Sequence, residues 1–132
     1  MATLTIESTG DQVSVAPGQT LLDACLRAGI WLPHACGHGL CGTCKVVVLE
    51  GSVNHGAASS FALMDFERVD NKALACVATA DGDVIIEADV DDEPDALQLA
   101  VGDHRGTVSR LEMLTPDILG IWLKLDQLGF GF

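Results

Sequence analysis

The stretch "HACGHGLCGTC", His34 to Cys44, sets three cysteines among three glycines in eleven residues, and Cys76 follows 32 positions after Cys44. Glycine is disfavoured inside helices and strands, so this stretch is expected to form a tight loop. A fold that uses these thiols together has to hold that loop and bring Cys76 back to it.

Three chemistries fit closely spaced thiols on such a chain. Gly37, Gly39 and Gly42 spell G-x-G-x-x-G, the outline of a nucleotide loop. A dinucleotide site needs a strand before that motif and a helix after it. Here Trp31-Leu32-Pro33-His34 is a poor strand, and Val46-Val47-Val48 begins one where the helix should be. Cys41-Gly42-Thr43-Cys44 is a C-x-x-C, but a dithiol switch sits at a helix amino terminus, and this motif runs into a strand. The third chemistry is a metal centre. Cys36, Cys41 and Cys44 give C-x4-C-x2-C, and with Cys76 they match a spacing used for [2Fe–2S] clusters. Structural zinc normally takes two close cysteine pairs, and only one is present. A Rieske variant would need histidine at position 79, which is Thr79. The expected ligands are therefore Cys36, Cys41, Cys44 and Cys76. Gly37, Gly39 and Gly42 are expected to let backbone N–H groups turn toward the sulfurs of an anionic cluster.

The fifth cysteine, Cys25, falls beside Leu22 on the apolar side of a short helix and reads as a small core residue. His34 and His38 read as exposed loop residues, and His55 and His104 carry no signal. Trp31, Leu32, Leu40 and Leu74 are expected to shield the centre from water. Asp89, Asp91 and Asp92 lack the central glycine and closing Glu of a calcium loop.

Around the loop, period-two patterning predicts a hairpin of Thr3–Glu7 and Val13–Val15. A helix capped by Thr20 should run to Ala28, with Leu22, Cys25 and Leu26 inward and Gly29 ending it. Lys45–Leu49 is a predicted strand. Ser59 or Ser60 is expected to cap a second helix that buries Phe61, Leu63, Met64 and Phe66. Ala73–Ala78 is a predicted strand carrying Cys76, and Asp81-Gly82-Asp83 a turn into a strand over Val84–Ala88. Six acids fall in the nine residues from Glu87 to Asp95, which read as a solvated linker. Two strands follow, Thr107–Leu114 and Leu119–Leu125, around Thr115-Pro116-Asp117, and the chain ends at "GFGF". The fold class expected is α+β, a mixed sheet with short helices, followed by a barrel fragment.

Nineteen acids against seven bases give a net charge of −12, which repels nucleic acid and anionic membranes and suits a basic partner. The first residues lack the basic and apolar regions of a secretion signal, and no apolar run approaches the roughly 20 residues that span a bilayer. A cytoplasmic protein is expected, where cysteines serve metals or catalysis more often than disulfides.

At "GIWLPHACGHGLCGTCKVVVLEG", "SSFALMDFE" and "VIIEADVD" the chain resembles the plant-type [2Fe–2S] ferredoxins, a β-grasp family, over about residues 2–92. Within it, the chain is similar to the ferredoxin domains of NADH-dependent reductases that serve bacterial multicomponent oxygenases, the phenol hydroxylase reductase component above all. "HRGTVSRLEMLTPDILGIWLKLD" resembles the first strands of the flavin-binding barrel that follows there. The resemblance implies two domains, 1–95 a ferredoxin domain and 96–132 a linker and opening hairpin of a truncated barrel. It implies an electron path from NADH through FAD and the cluster to an oxygenase component. It implies that Cys36 and Cys41 hold the outer iron, and Cys44 and Cys76 the inner one. The barrel's flavin-binding Arg/Ser motif and the nicotinamide domain are missing from these 132 residues, so FAD and NADH belong only to a chain that carries them. Alone, this chain is expected to be an electron carrier rather than an enzyme. A free-standing ferredoxin is the alternative function, and a structural zinc or interaction module a more distant one. The apolar tail over 96–132 is expected to dock on the first domain or to pair two copies of the chain.

Overall fold

The structure is a computed structural model and describes residues 1–90, 93–96 and 99–126. Asp91, Asp92 and the terminal Gly129–Phe132, read above from the sequence, lie outside the described residues. The chain divides into two compact units, Met1–Val101 and Gly102–Phe132.

The first unit is built on a mixed five-stranded sheet. Alternating apolar residues form β1 (Ala2–Ile6) and β2 (Gln12–Val15), an antiparallel hairpin whose inward side chains Leu4, Ile6, Val13 and Val15 are buried. Helix α1 (Leu21–Arg27) starts at Thr20, whose hydroxyl accepts a hydrogen bond from Asp23 N at 3.2 Å. It ends before Gly29, which takes φ +80°. Its buried face is Leu21, Leu22, Ala24 and Cys25, while Leu26 is only partly buried.

β3 (Lys45–Asn54), β4 (Lys72–Leu74) and β5 (Thr79–Glu87) complete the sheet in the order β2-β1-β5-β3-β4. β1 and β5 run parallel, with Leu4 opposite Val84, and the other neighbours are antiparallel. Val46, Val48, Val84 and Ile86 close the core with Leu32, Leu63 and Leu74.

Four expectations are corrected. β3 is ten residues long rather than five, because β5 pairs with it far beyond Leu49. Asp81-Gly82-Asp83 is not a turn but the middle of β5, where the register with β3 shifts. Opposite it, Gly51 sits at φ +90°, and a Cβ there would lie 2.3 Å from Asp83 O, so this bulge needs glycine. Cys76 is not on a strand, since β4 stops at Leu74 and residues 75–78 form a buried turn. The second helix, α2, is Asp65–Val69, later than predicted. Ser59 Oγ accepts from Phe61 N at 3.1 Å in a turn before it, and Met64 is its cap, with Met64 N donating to Glu67 Oε2 at 2.9 Å. Of its expected apolar contacts only Leu63 is buried; Phe61, Met64 and Phe66 are exposed.

The second unit is a two-stranded antiparallel sheet, β6 (Gly106–Thr115) and β7 (Ile118–Leu125), joined at Pro116-Asp117. It matches the predicted hairpin and fits a barrel fragment. Val108, Leu111, Met113, Ile121, Leu123 and Trp122 are all exposed. Among the described residues, no helix is long and apolar enough to cross a membrane.

Candidate metal centre

Cys44 immediately precedes β3, and β3 pairs with β4 so that Lys45 faces Leu74. That register carries the chain beyond Leu74 back to Cys44. Ala75 N donates to Cys44 O at 3.1 Å, and Cys76 N points at Cys44 Sγ at 3.5 Å. The Cys76 turn is fixed from its other side by α1. Leu21 N donates to Ala78 O at 3.0 Å and Leu22 N to Ala75 O at 2.9 Å. Helix N–H groups that have no partner within a helix here satisfy carbonyls on both sides of Cys76. Cys44 and Cys76 are both buried.

Cys36 and Cys41 lie on the loop itself, the first half-buried and the second exposed. Their backbone curls around the sulfurs. His38 N donates to Cys36 Sγ at 3.3 Å and Thr43 N to Cys41 Sγ at 3.5 Å. The Gly39 backbone N–H serves Cys76 in the same way. Each of the four sulfurs therefore meets at least one main-chain N–H. Gly37, Gly39 and Gly42 all take the left-handed conformation, at φ +70°, +77° and +75°. Gly39 is also hemmed in: a Cβ there would stand 3.1 Å from Ala58 Cα and 3.2 Å from Ala57 O. Ser59 N donates to Gly39 O at 2.9 Å and pins the loop to the segment before α2.

The thiols fall into a buried pair, Cys44 and Cys76, and a more exposed pair, Cys36 and Cys41, and one thiol of each pair is shifted. The Thr43 hydroxyl, 3.3 Å from Cys41 Sγ, together with the Cys36 and Thr43 backbone and the Cys36 side chain, pulls the Cys41 thiol down to about 6. Burial, with the Cys44 thiol beside it, pushes Cys76 up to about 11. Cys25 is apart from both pairs, fully buried on α1, with its thiol pushed up to about 12 by burial.

The arrangement suits the group the sequence implies. The four-sulfur donor set is soft, as iron–sulfur centres need. A binuclear cluster asks two thiolates of each iron, and the thiols are in two pairs. The N–H groups at the sulfurs suit a group that stays anionic in both oxidation states. The residues fit.

Some surroundings differ from expectation. Leu32 and Leu74 are buried behind the loop, but Trp31 and Leu40 face solvent, Leu40 at 64% exposure, and do not shield it. His38 is exposed as expected, whereas His34 is partly buried, its Nδ1 2.8 Å from Leu32 O and its ring 4.8 Å from that of Trp31. Sequence reading also missed Thr43, whose place between two ligand candidates was the available signal. It missed His55 as well, whose buried Nδ1 has no hydrogen-bond partner among the described residues.

A mixed sheet that delivers a cysteine turn to a glycine-rich cysteine loop defines an iron–sulfur domain of the ferredoxin type. The chain belongs to the 2Fe-2S iron-sulfur cluster binding domain family, whose sequence profile matches residues 4–81. It is 56% identical over 94% of its length to the phenol 2-monooxygenase reductase component DmpP of Pseudomonas sp. strain CF600, covering 35% of that protein. It is 53% identical to the phenol hydroxylase P5 protein of Acinetobacter pittii strain PHEA-2, again over 94% of this chain and 35% of that one. Among solved structures, the Amycolatopsis cytochrome P450 reductase GcoB superposes with a TM-score of 0.82 at 34% identity, over 96% of this chain and 37% of that one. The chain thus spans about a third of the length of the curated relatives it matches. The family's cofactor is a [2Fe–2S] cluster.

Proposed function

We propose that Cys36, Cys41, Cys44 and Cys76 hold the cluster, and that the chain is the electron-transfer portion of an oxygenase reductase. In this reading residues 1–95 are the ferredoxin domain, and residues 96–132 are a linker and the opening hairpin of a flavin-binding barrel. A flavin and NADH module delivers electrons, and an oxygenase component of the phenol hydroxylase kind receives them. The cytoplasm is the proposed location.

One observation carries this reading: four thiols in two pairs, one buried and one half-buried to exposed, each met by a main-chain N–H. When bound, the cluster takes up and returns one electron at a time. The chain supplies the conditions for that exchange. The N–H groups of His38, Gly39, Thr43 and Cys76 are fixed before any charge arrives, so they stabilise added negative charge with little rearrangement. Leu32 and Leu74 keep water from the inner pair. The open side at Cys36 and Cys41 lets a partner approach. In this reading the flavin and NADH chemistry belongs to the module that delivers the electrons.

The test is direct. The cluster-loaded chain, reduced with dithionite, should pass one electron per chain to the oxygenase component of a phenol 2-monooxygenase. NADH alone should leave its visible spectrum unchanged. Transfer to small oxidants but to no oxygenase component would overturn the functional assignment.

The exposed apolar hairpin β6–β7 is the proposed homodimer contact of the 132-residue chain. Residues 102–132 hold four acids and three bases, so two copies of this unit would not repel one another strongly.

A further inference from the structure

The stretch that follows the acidic run is apolar where a solvated linker should be polar. Ala96 to Val101 reads "ALQLAV", with one polar residue in six. Its last two residues both meet the carboxyl end of α1. Val101, the last residue of the first unit, donates its N–H to Leu26 O at 2.9 Å. Ala100 lies over Gly29, where an added Cβ would stand 3.9 Å from Ala100 Cβ.

That end of the helix needs donors. The last carbonyls of a helix have no N–H from a following turn. In α1, Gly29 N and Ile30 N turn back to Leu26 O and Cys25 O at 3.1 and 2.9 Å. The Val101 N–H gives Leu26 O a second donor, which a carbonyl with two lone pairs can accept. A helix of seven residues is too short to persist in isolation, so contacts along it and at its ends decide where it lies. The amino end of α1 holds the carbonyls of Ala75 and Ala78, on both sides of Cys76. The carboxyl end is held by Ala100 and Val101. One short helix therefore joins the linker to the Cys76 turn.

We propose that Ala100–Val101 is a clasp: it closes on the carboxyl end of α1, keeps the helix seated, and so keeps the Cys76 turn against Cys44. Loosening the clasp loosens the hold on the cluster. This rests on the ligand assignment above. Val101 is a positioning residue that acts through α1. Its side chain stays 42% exposed, so the backbone N–H does the holding.

The experiment uses the full cluster-loaded chain and follows the bleaching of its visible absorption in excess iron chelator. Val101→Pro removes the N–H and should bleach about threefold faster than wild type or more, the effect of one lost hydrogen bond on an opening equilibrium. Val101→Ala keeps the N–H, trims the side chain, and should bleach at the wild-type rate. Ala100→Asp sets a carboxylate against the negative end of the helix and should bleach about twofold faster, whereas Ala100→Ser should not. If Val101→Pro takes up no cluster, the Ala100 pair decides, and equal rates in that pair overturn the clasp. A wild-type rate in Val101→Pro overturns it too. So does Val101→Ala bleaching as fast as Val101→Pro, because side-chain packing would then be the cause. A wild-type chain that takes up no cluster overturns the ligand assignment instead. The clasp is then judged on the melting of the metal-free chain, where Val101→Pro should melt about 4 °C below both wild type and Val101→Ala. Equal melting points there overturn the clasp as well.

Discussion

Gly39 is where conformation, packing and hydrogen bonding meet in one residue. Its φ of +77° costs an ordinary L-residue roughly 1–2 kcal/mol. Its missing Cβ leaves room for Ala57 and Ala58, and its N–H faces Cys76. Gly39→Ala should therefore sharply lower cluster occupancy, read as visible absorbance per chain. Gly37→Ala meets nothing within 4 Å, pays the strain alone, and should keep most of its cluster. Cys25 provides the opposite case. Its thiol is fully buried among apolar neighbours, so Cys25→Ser should cost roughly 1–3 kcal/mol by burying a hydroxyl in place of sulfur. Chemical denaturation would measure that loss, and the cluster spectrum should survive it. The cysteine spacing names Cys36, Cys41, Cys44 and Cys76 as the proposed ligands and leaves Cys25 out. The spacing did not carry the order of burial among them, because that depends on the Leu74–Ala78 turn and on α1 holding it.

At the scale of elements, α1 was legible and α2 was not, and the reason is physical. α1 has a capping threonine, a period near 3.6 and a terminal glycine, all local signals. Thr20→Ala should cost about 1 kcal/mol in a melting or denaturant experiment, with Thr20→Ser recovering most of it. α2 is positioned by Lys45 and Glu67, 22 residues apart, and its apolar residues point outward, so periodicity misplaced it. Lys45, then the Met64 N–H, holds the Glu67 carboxyl below its ordinary value. A depressed carboxylate adds stability above its unfolded pKa and loses it as pH falls through the folded one. Glu67→Gln should melt below wild type at pH 7, and the gap should close well below pH 4.5. A constant gap across that range would remove the ion pair from the account. The misread turn at Asp81-Gly82-Asp83 has a similar cause. Its turn chemistry is real, but the β3–β5 ladder absorbs it as a bulge against Gly51.

For the whole molecule, the two units differ in what they bury. Met1–Val101 has a continuous core, whereas the described part of Gly102–Phe132 is a hairpin whose apolar side chains are mostly exposed. Two strands alone are marginal in water. A chain ending at Val101 should keep its cluster and its melting transition, and gel filtration should show it monomeric while the full chain elutes as a dimer. A monomeric full chain would remove the proposed pairing through β6–β7 and leave the cluster assignment standing. That assignment is the central claim, and iron and acid-labile sulfide analysis with visible absorption tests it most directly. The predicted result is two irons and two sulfides per chain, retained in Cys25→Ser and lost in Cys76→Ser. A colourless chain carrying one zinc and no sulfide would contradict it.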